Sequence, residues 1–145
     1  MIMNPDPILE LFVNKATGDF AIINFAPHEN FGYIGWGSTV VISASELKNR
    51  TADILRENLE GFGTRKCEKR SQFADLPREE QVRFERTHKL VLITLKEGGR
   101  ILEVEPMRWG DRGRTGDPRD ALRVSLAASN EEISNTLMQA FSKSN

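Results

Sequence analysis

Residues 89–106 read KLVLITLKEGGRILEVEP. Two runs rich in β-branched residues flank Gly98-Gly99, a dipeptide that tolerates the positive φ angles of a tight two-residue hairpin turn. A turn at that point dictates the register. Leu95 falls opposite Leu102, Ile93 opposite Val104 and Val91 opposite Pro106 on one side. On the other side Lys96 meets Ile101, Thr94 meets Glu103 and Leu92 meets Glu105. One face of this hairpin is therefore wholly apolar and has to be covered by other elements, whereas its reverse mixes apolar and charged residues.

Working outward, ILELFV (8–13) and FAIINF (20–25) form a second hairpin around NKATGD, whose Gly and Asn suit a turn. The glycine- and aromatic-rich stretch PHENFGYIGWGS (27–38) reads as a loop, followed by a strand at TVVIS (39–43). Ser43 precedes Glu46 by three residues, the spacing of a capping box, so a helix begins there. Leu47, Thr51, Ile54, Leu55 and Asn58 follow its 3.6-residue period and Gly61 is placed to end it. Residues 63–75 are polar and aperiodic, a surface loop, and LPREEQVRFERT (76–87) predicts a short helix turning Leu76, Val82 or Phe84 inward. Beyond the central hairpin, ALRVSLA (121–127) places Leu122, Val124 and Leu126 on one side of a strand. Ser129 and Glu132 form a second capping box, opening a helix striped by Ile133, Leu137, Ala140 and Phe141. Runs of strands separated by helices define an α+β fold, an antiparallel or mixed sheet of about six strands with three helices packed on it. At 145 residues the chain fits a single domain, 1–145, around one core.

Composition narrows the function classes. The apolar share is 39% and the charged share 28%, as in soluble globular proteins, and every apolar run falls far short of the roughly 20 residues of a membrane-spanning helix. The start, MIMNPDPILELF, lacks the basic region, long apolar stretch and cleavage site of a secretory signal, which points to the cytoplasm. A lone Cys67, with only His28 and His88 beside it, provides neither a disulfide nor a zinc set, and no cofactor or metal is expected. A net charge of −1 leaves no overall attraction for nucleic acid or anionic membrane.

The order of KLVLITLKEGG, a return strand reaching VEP, a charged loop, LRVSL and then SNEEISNTLMQAFSKS resembles the immunity proteins of bacterial contact-dependent growth inhibition systems. The Ser-led capped helix with an Ala-Phe pair near its end and a small-polar tail carries most of the resemblance, and GDFAIINF, with an aromatic after the turn, fits as well. The resemblance implies a small cytoplasmic protein that binds the toxic carboxyl-terminal domain of a delivered exoprotein, often a nuclease, and blocks it. The partner is then the cognate toxin protein, without membrane or nucleic acid, and the free protein is a monomer or weak dimer. No catalytic residue is implied.

Candidate partner-binding residues fall in three places. Glu103 and Glu105, with Glu97 near the turn, form an acidic row that suits a basic nuclease cleft; its simpler reading is the wet face of a half-buried strand. The stretch RWGDRGRTGDPRD (108–120) carries Arg108, Asp111, Arg112 and Arg114 as contact candidates, either as an arm reaching a partner or as a solvated connection whose charges pair locally. The same loop, with Arg119, supports the rival reading of a nucleic-acid or phosphate-binding module, although it lacks Walker spacing and a following helix. Trp36 and Tyr33 are aromatic anchors or lids folded over the core. A third reading, a small enzyme, would use the 27–37 loop with His28 and Glu29, and Cys67 among Arg65, Lys66, Lys69 and Arg70.

Overall fold

In the computed structural model, which describes residues 5–111 and 113–145, the central hairpin has the expected register, Val91 opposite Pro106 through Lys96 opposite Ile101. Its strands are β4 (His88–Lys96) and β5 (Ile101–Gly110). The turn is wider than the expected two-residue form. Glu97, Gly98 and Gly99 have φ of 55°, 66° and 93°, and Arg100 N donates to Lys96 O, closing a four-residue connection. Lengthening both sides of the turn equally leaves the pairing, and hence the faces, unchanged.

Strands β1 (Ile8–Asn14) and β2 (Phe20–His28) form the second hairpin, and β1 pairs with β4 along its whole length. The stretch read as a loop at 27–38 is mostly strand: β2 runs on through His28, and β3 (Gly32–Ile42) returns along it with a bulge opposite Ile22 to Asn24. The bulge interrupts the two-residue alternation that would have marked it. β6 (Gly113–Gly116) pairs with the end of β5, and β7 (Leu122–Ser125) pairs with its beginning. The resulting seven-stranded antiparallel sheet runs β3-β2-β1-β4-β5, with β6 and β7 sharing the last edge. The fold is α+β, as expected.

One face of the sheet carries α1 (Ala44–Asn49), α2 (Thr51–Glu60) and α4 (Asn130–Phe141). Leu9, Leu11, Ile22, Val91, Ile93, Leu102 and Val104 from the strands meet Leu47, Leu55, Leu59, Ile133, Leu137 and Phe141 from the helices. Each such side chain contributes about 1.5–3 kcal/mol by leaving water. Both capping boxes form at the serine: Ser43 Oγ accepts from Glu46 N at 3.2 Å and Ser129 Oγ from Glu132 N at 3.1 Å. The first helix is divided at Arg50, and Asn130 bridges the break by accepting from Ala52 N at 2.9 Å and donating to Asn49 O at 3.0 Å. The other face carries α3 (Arg78–Thr87), which lays Phe84 and the preceding Phe73 over Phe12, Ala21, Ile23 and Leu90. α3 covers only part of this face, so the acidic side of β5 stays partly in water.

Candidate functional site

The acidic row lies on the α3 face. Alternation along β5 brings Glu103 and Glu105 there between Ile101 and Met107, and β7 adds Arg123 opposite Glu103. Arg123 bridges the row, 3.8 Å from Glu103 and 3.6 Å from Glu97, and Lys96 stands 3.0 Å from Asp6 and 4.0 Å from Glu103. Glu105 forms none of these pairs. Burial raises its pKa, and the charges of Glu103 and Asp117 raise it further.

The stretch 108–120 is a hairpin extension rather than a loop, because β5 outlasts β7 and offers a free edge that Gly113–Gly116 completes. Three of its arginines, Arg108, Arg114 and Arg119, are engaged internally. Arg108 Nε donates to Lys143 O, its Nη1 lies 3.2 Å from Asp120, and Trp109 N donates to Asn145 Oδ1 at 2.8 Å, so this strand end holds the segment after α4. Arg119 pairs with Asp117 at 2.8 Å and holds the aspartate's carboxyl below its ordinary range. Arg114 crosses to the end of α3, where its Nη2 donates to Glu85 O and His88 O. Its guanidinium lies 4.5 Å from the Trp109 ring centre and 5.7 Å from that of Phe12. A cation supplied to the last carbonyls of a helix stabilises its negative end. Asp111 remains exposed at the hairpin tip, and Arg112 lies outside the described residues.

Around Arg114 the structure assembles a group that single-sequence reasoning missed. Glu10, in the middle of β1, shares the Arg114 neighbourhood with Glu85, and burial pushes the Glu10 carboxyl up to about 7 despite the nearby guanidinium. Burial likewise lowers the Arg114 pKa, and its Nε and Nη1 are buried with no hydrogen-bond partner among the described residues. His88 stacks on Phe84 with ring centres 3.9 Å apart, and burial lowers its pKa. One signal was present in the sequence: an acidic residue interrupting ILELF, on a strand flanked by partners on both sides.

Trp36 and Tyr33 lie on β3, four strand spacings from β5, on the order of 19 Å away. The residues nominated from the sequence therefore form two separate surfaces. Tyr33 packs edge-on against Phe25 at 5.1 Å, beside an exposed Phe31 that lies against His28 at 4.8 Å. His28 Nδ1 accepts from Asn30 N and Phe31 N, an assignment to the turn rather than to an acid/base pair with Glu29. Among the described residues no group of His, Cys, Asp and Glu could hold a metal, and no helix is long and apolar enough to cross a membrane.

No protein-family model and no curated protein matches the chain. Among solved structures, the α+β architecture is shared with a protein of unknown function from Neisseria meningitidis, at a TM-score of 0.66 and 16% identity, covering all of both chains. It is also shared with a chain of the CdiA-CT/CdiI toxin and immunity complex from Yersinia pseudotuberculosis, at a TM-score of 0.61 and 12% identity, covering 97% of this chain and 98% of that one. At such identities the likeness is one of fold.

Proposed function

We propose that the protein is an immunity protein: it binds the carboxyl-terminal toxin domain of a contact-dependent growth inhibition exoprotein and blocks it, without performing chemistry of its own. The observation that carries this reading is the near full-length fold likeness to a chain of a toxin and immunity complex. The binding surface is the α3 face at the β5 end, where Glu97, Glu103, Glu105 and the exposed Asp111 offer carboxylates to a basic nuclease cleft. Complementary charge there raises the association rate and rejects wrong partners more than it adds affinity. The protein acts in the cytoplasm, without a cofactor, as a monomer or weak dimer until the toxin arrives.

The rival reading, phosphate recognition by the 108–120 arginines, is weakened by the internal bonds of Arg108, Arg114 and Arg119 to Asp117, Asp120, Lys143, Glu85 and His88. Co-expression is the test: if the neighbouring upstream gene encodes a long exoprotein ending in a toxin domain, that domain should kill cells alone and spare those that also make this chain. Equal killing in both cultures overturns the proposal. A Glu103→Lys, Glu105→Lys double variant should slow association with the toxin domain about tenfold at low salt, with a smaller effect on dissociation.

A further inference from the structure

At the sheet edge remote from the acidic row, α2 ends at Gly61, a 3-10 turn over Phe62–Thr64 follows, and the chain passes back along β3. Trp36 stands opposite the buried Asn24, which places it on the helix-bearing face just beyond α2. There the Arg65 guanidinium lies 4.7 Å and the Lys69 ammonium 4.9 Å from its ring centre. Trp36, Gly61, Thr64, Arg65, Lys66 and Lys69 line an open cavity of about 550 Å³.

Three features of this cavity point to an anion. Arg65, Lys66 and Lys69 each lie outside ion-pairing distance of a carboxylate among the described residues, whereas the neighbouring Arg70 is paired with Asp75 at 3.3 Å. Arg65 is held in place from behind, Nη1 donating to Phe25 O at 2.9 Å and Nη2 to Asn58 O, so its charge is fixed at the cavity wall. The Trp36 indole N–H is buried with no acceptor among the described residues. The ring face offsets only a small part of this crowded positive charge at an exposed site. An arriving oxyanion would relieve the remainder.

We infer that this corner binds a phosphate ester. Three cations answer the charge of nearly −2 on a phosphate monoester better than the single charge of a carboxylate. Two of them are lysines, which serve phosphate as point charges, and the volume lies in the range of small-ligand sites. The phosphate can come from a free nucleotide or from the backbone of a nucleic-acid strand. This inference does not rest on the immunity reading, because it uses the opposite edge and the opposite face of the sheet.

Trp36 reports on its own occupancy once Trp109→Phe leaves it as the sole tryptophan. Titrated at low salt, inorganic phosphate and a nucleoside 5′-monophosphate should change its fluorescence saturably. A Lys66→Gln, Lys69→Gln variant should weaken this about tenfold or more, and its unfolding midpoint should stay put because both side chains are exposed. Tighter binding of the mononucleotide than of an oligothymidylate identifies a free nucleotide; the reverse, with a steep salt dependence, identifies a strand backbone. Absence of a saturable response to any phosphate probe, an unchanged response in the double variant, or binding confined to an oligoglutamate peptide overturns the assignment.

Discussion

The two faces of the sheet solve burial differently. Under α1, α2 and α4 the buried strand side chains are apolar, mostly aliphatic with Phe20 among them, apart from Asn24, whose amide donates to Asn58 Oδ1 at 2.9 Å. Under α3 the same strands present a small aromatic cluster beside Glu10 and Arg114, two opposite charges that burial penalises and whose mutual attraction only partly offsets the cost. Beneath its helices the first face excludes water and so sets stability; the second keeps ionisable groups partly in water and so carries the response to pH.

The sharpest way to break this contrast is to open the first face at its centre. Ile93 is fully buried between Leu9 and Val104, and Ile93→Ala should cost about 3–5 kcal/mol in the free energy of unfolding, read from the denaturant midpoint at unchanged slope. A loss below about 1.5 kcal/mol would mean that the helices do not close over β4.

On the second face the larger effect is a dependence on pH. The folded pKa of Glu10 is raised, so its protonated form is the one that suits the fold. Its contribution is complete below the ordinary value of 4.5 and is lost as pH rises through about 7. Glu10→Gln, neutral throughout, should match the wild type at pH 4 and exceed it at pH 8 by at most about 3 kcal/mol, since each pKa unit is worth about 1.4 kcal/mol. Parallel stability curves for the two proteins would show that Glu10 remains hydrated. Arg114→Ala removes the donors to Glu85 O and His88 O and should cost about 2 kcal/mol at neutral pH. Arg114→Lys should recover little, because one ammonium cannot reproduce the fork and its stacking on Trp109.

The first face was legible because its signals are local. Gly98-Gly99 with flanking alternation fixes β4 and β5, and two Ser-to-Glu capping spacings start α1 and α4. What escaped reading depends on distant partners. The break at Arg50 leaves the helical period intact and is held by Asn130, far along the chain. β6 carries no apolar pattern, only GRTG, and becomes a strand because β7 leaves the end of β5 unpaired. Nothing in the sequence around Arg114 reveals its acceptors, Glu85 O near the end of α3 and His88 O at the start of β4. Charged side chains have no period that reveals whether they meet a partner inside the chain or outside it, which is why the acidic row was readable as a row while its internal partner Arg123 was not.

The smallest expected effect tests the contrast at the resolution of one residue. Val41 and Ile42 are neighbours on β3, and the strand period sends them to opposite faces: Ile42 lies against the helix-side core, while Val41, opposite Ala21, is 76% exposed where α3 does not reach. Thr has nearly the shape of Val and a similar strand preference, so at a wet position Val41→Thr should stay within about 0.5 kcal/mol of the wild type. Ile42→Thr puts a hydroxyl among aliphatic side chains and removes a buried methylene, costs that together exceed about 2 kcal/mol. If Val41→Thr proves as harmful as Ile42→Thr, then something covers the second face at this edge in solution, and the division of labour between the two faces fails where it is most exposed to test.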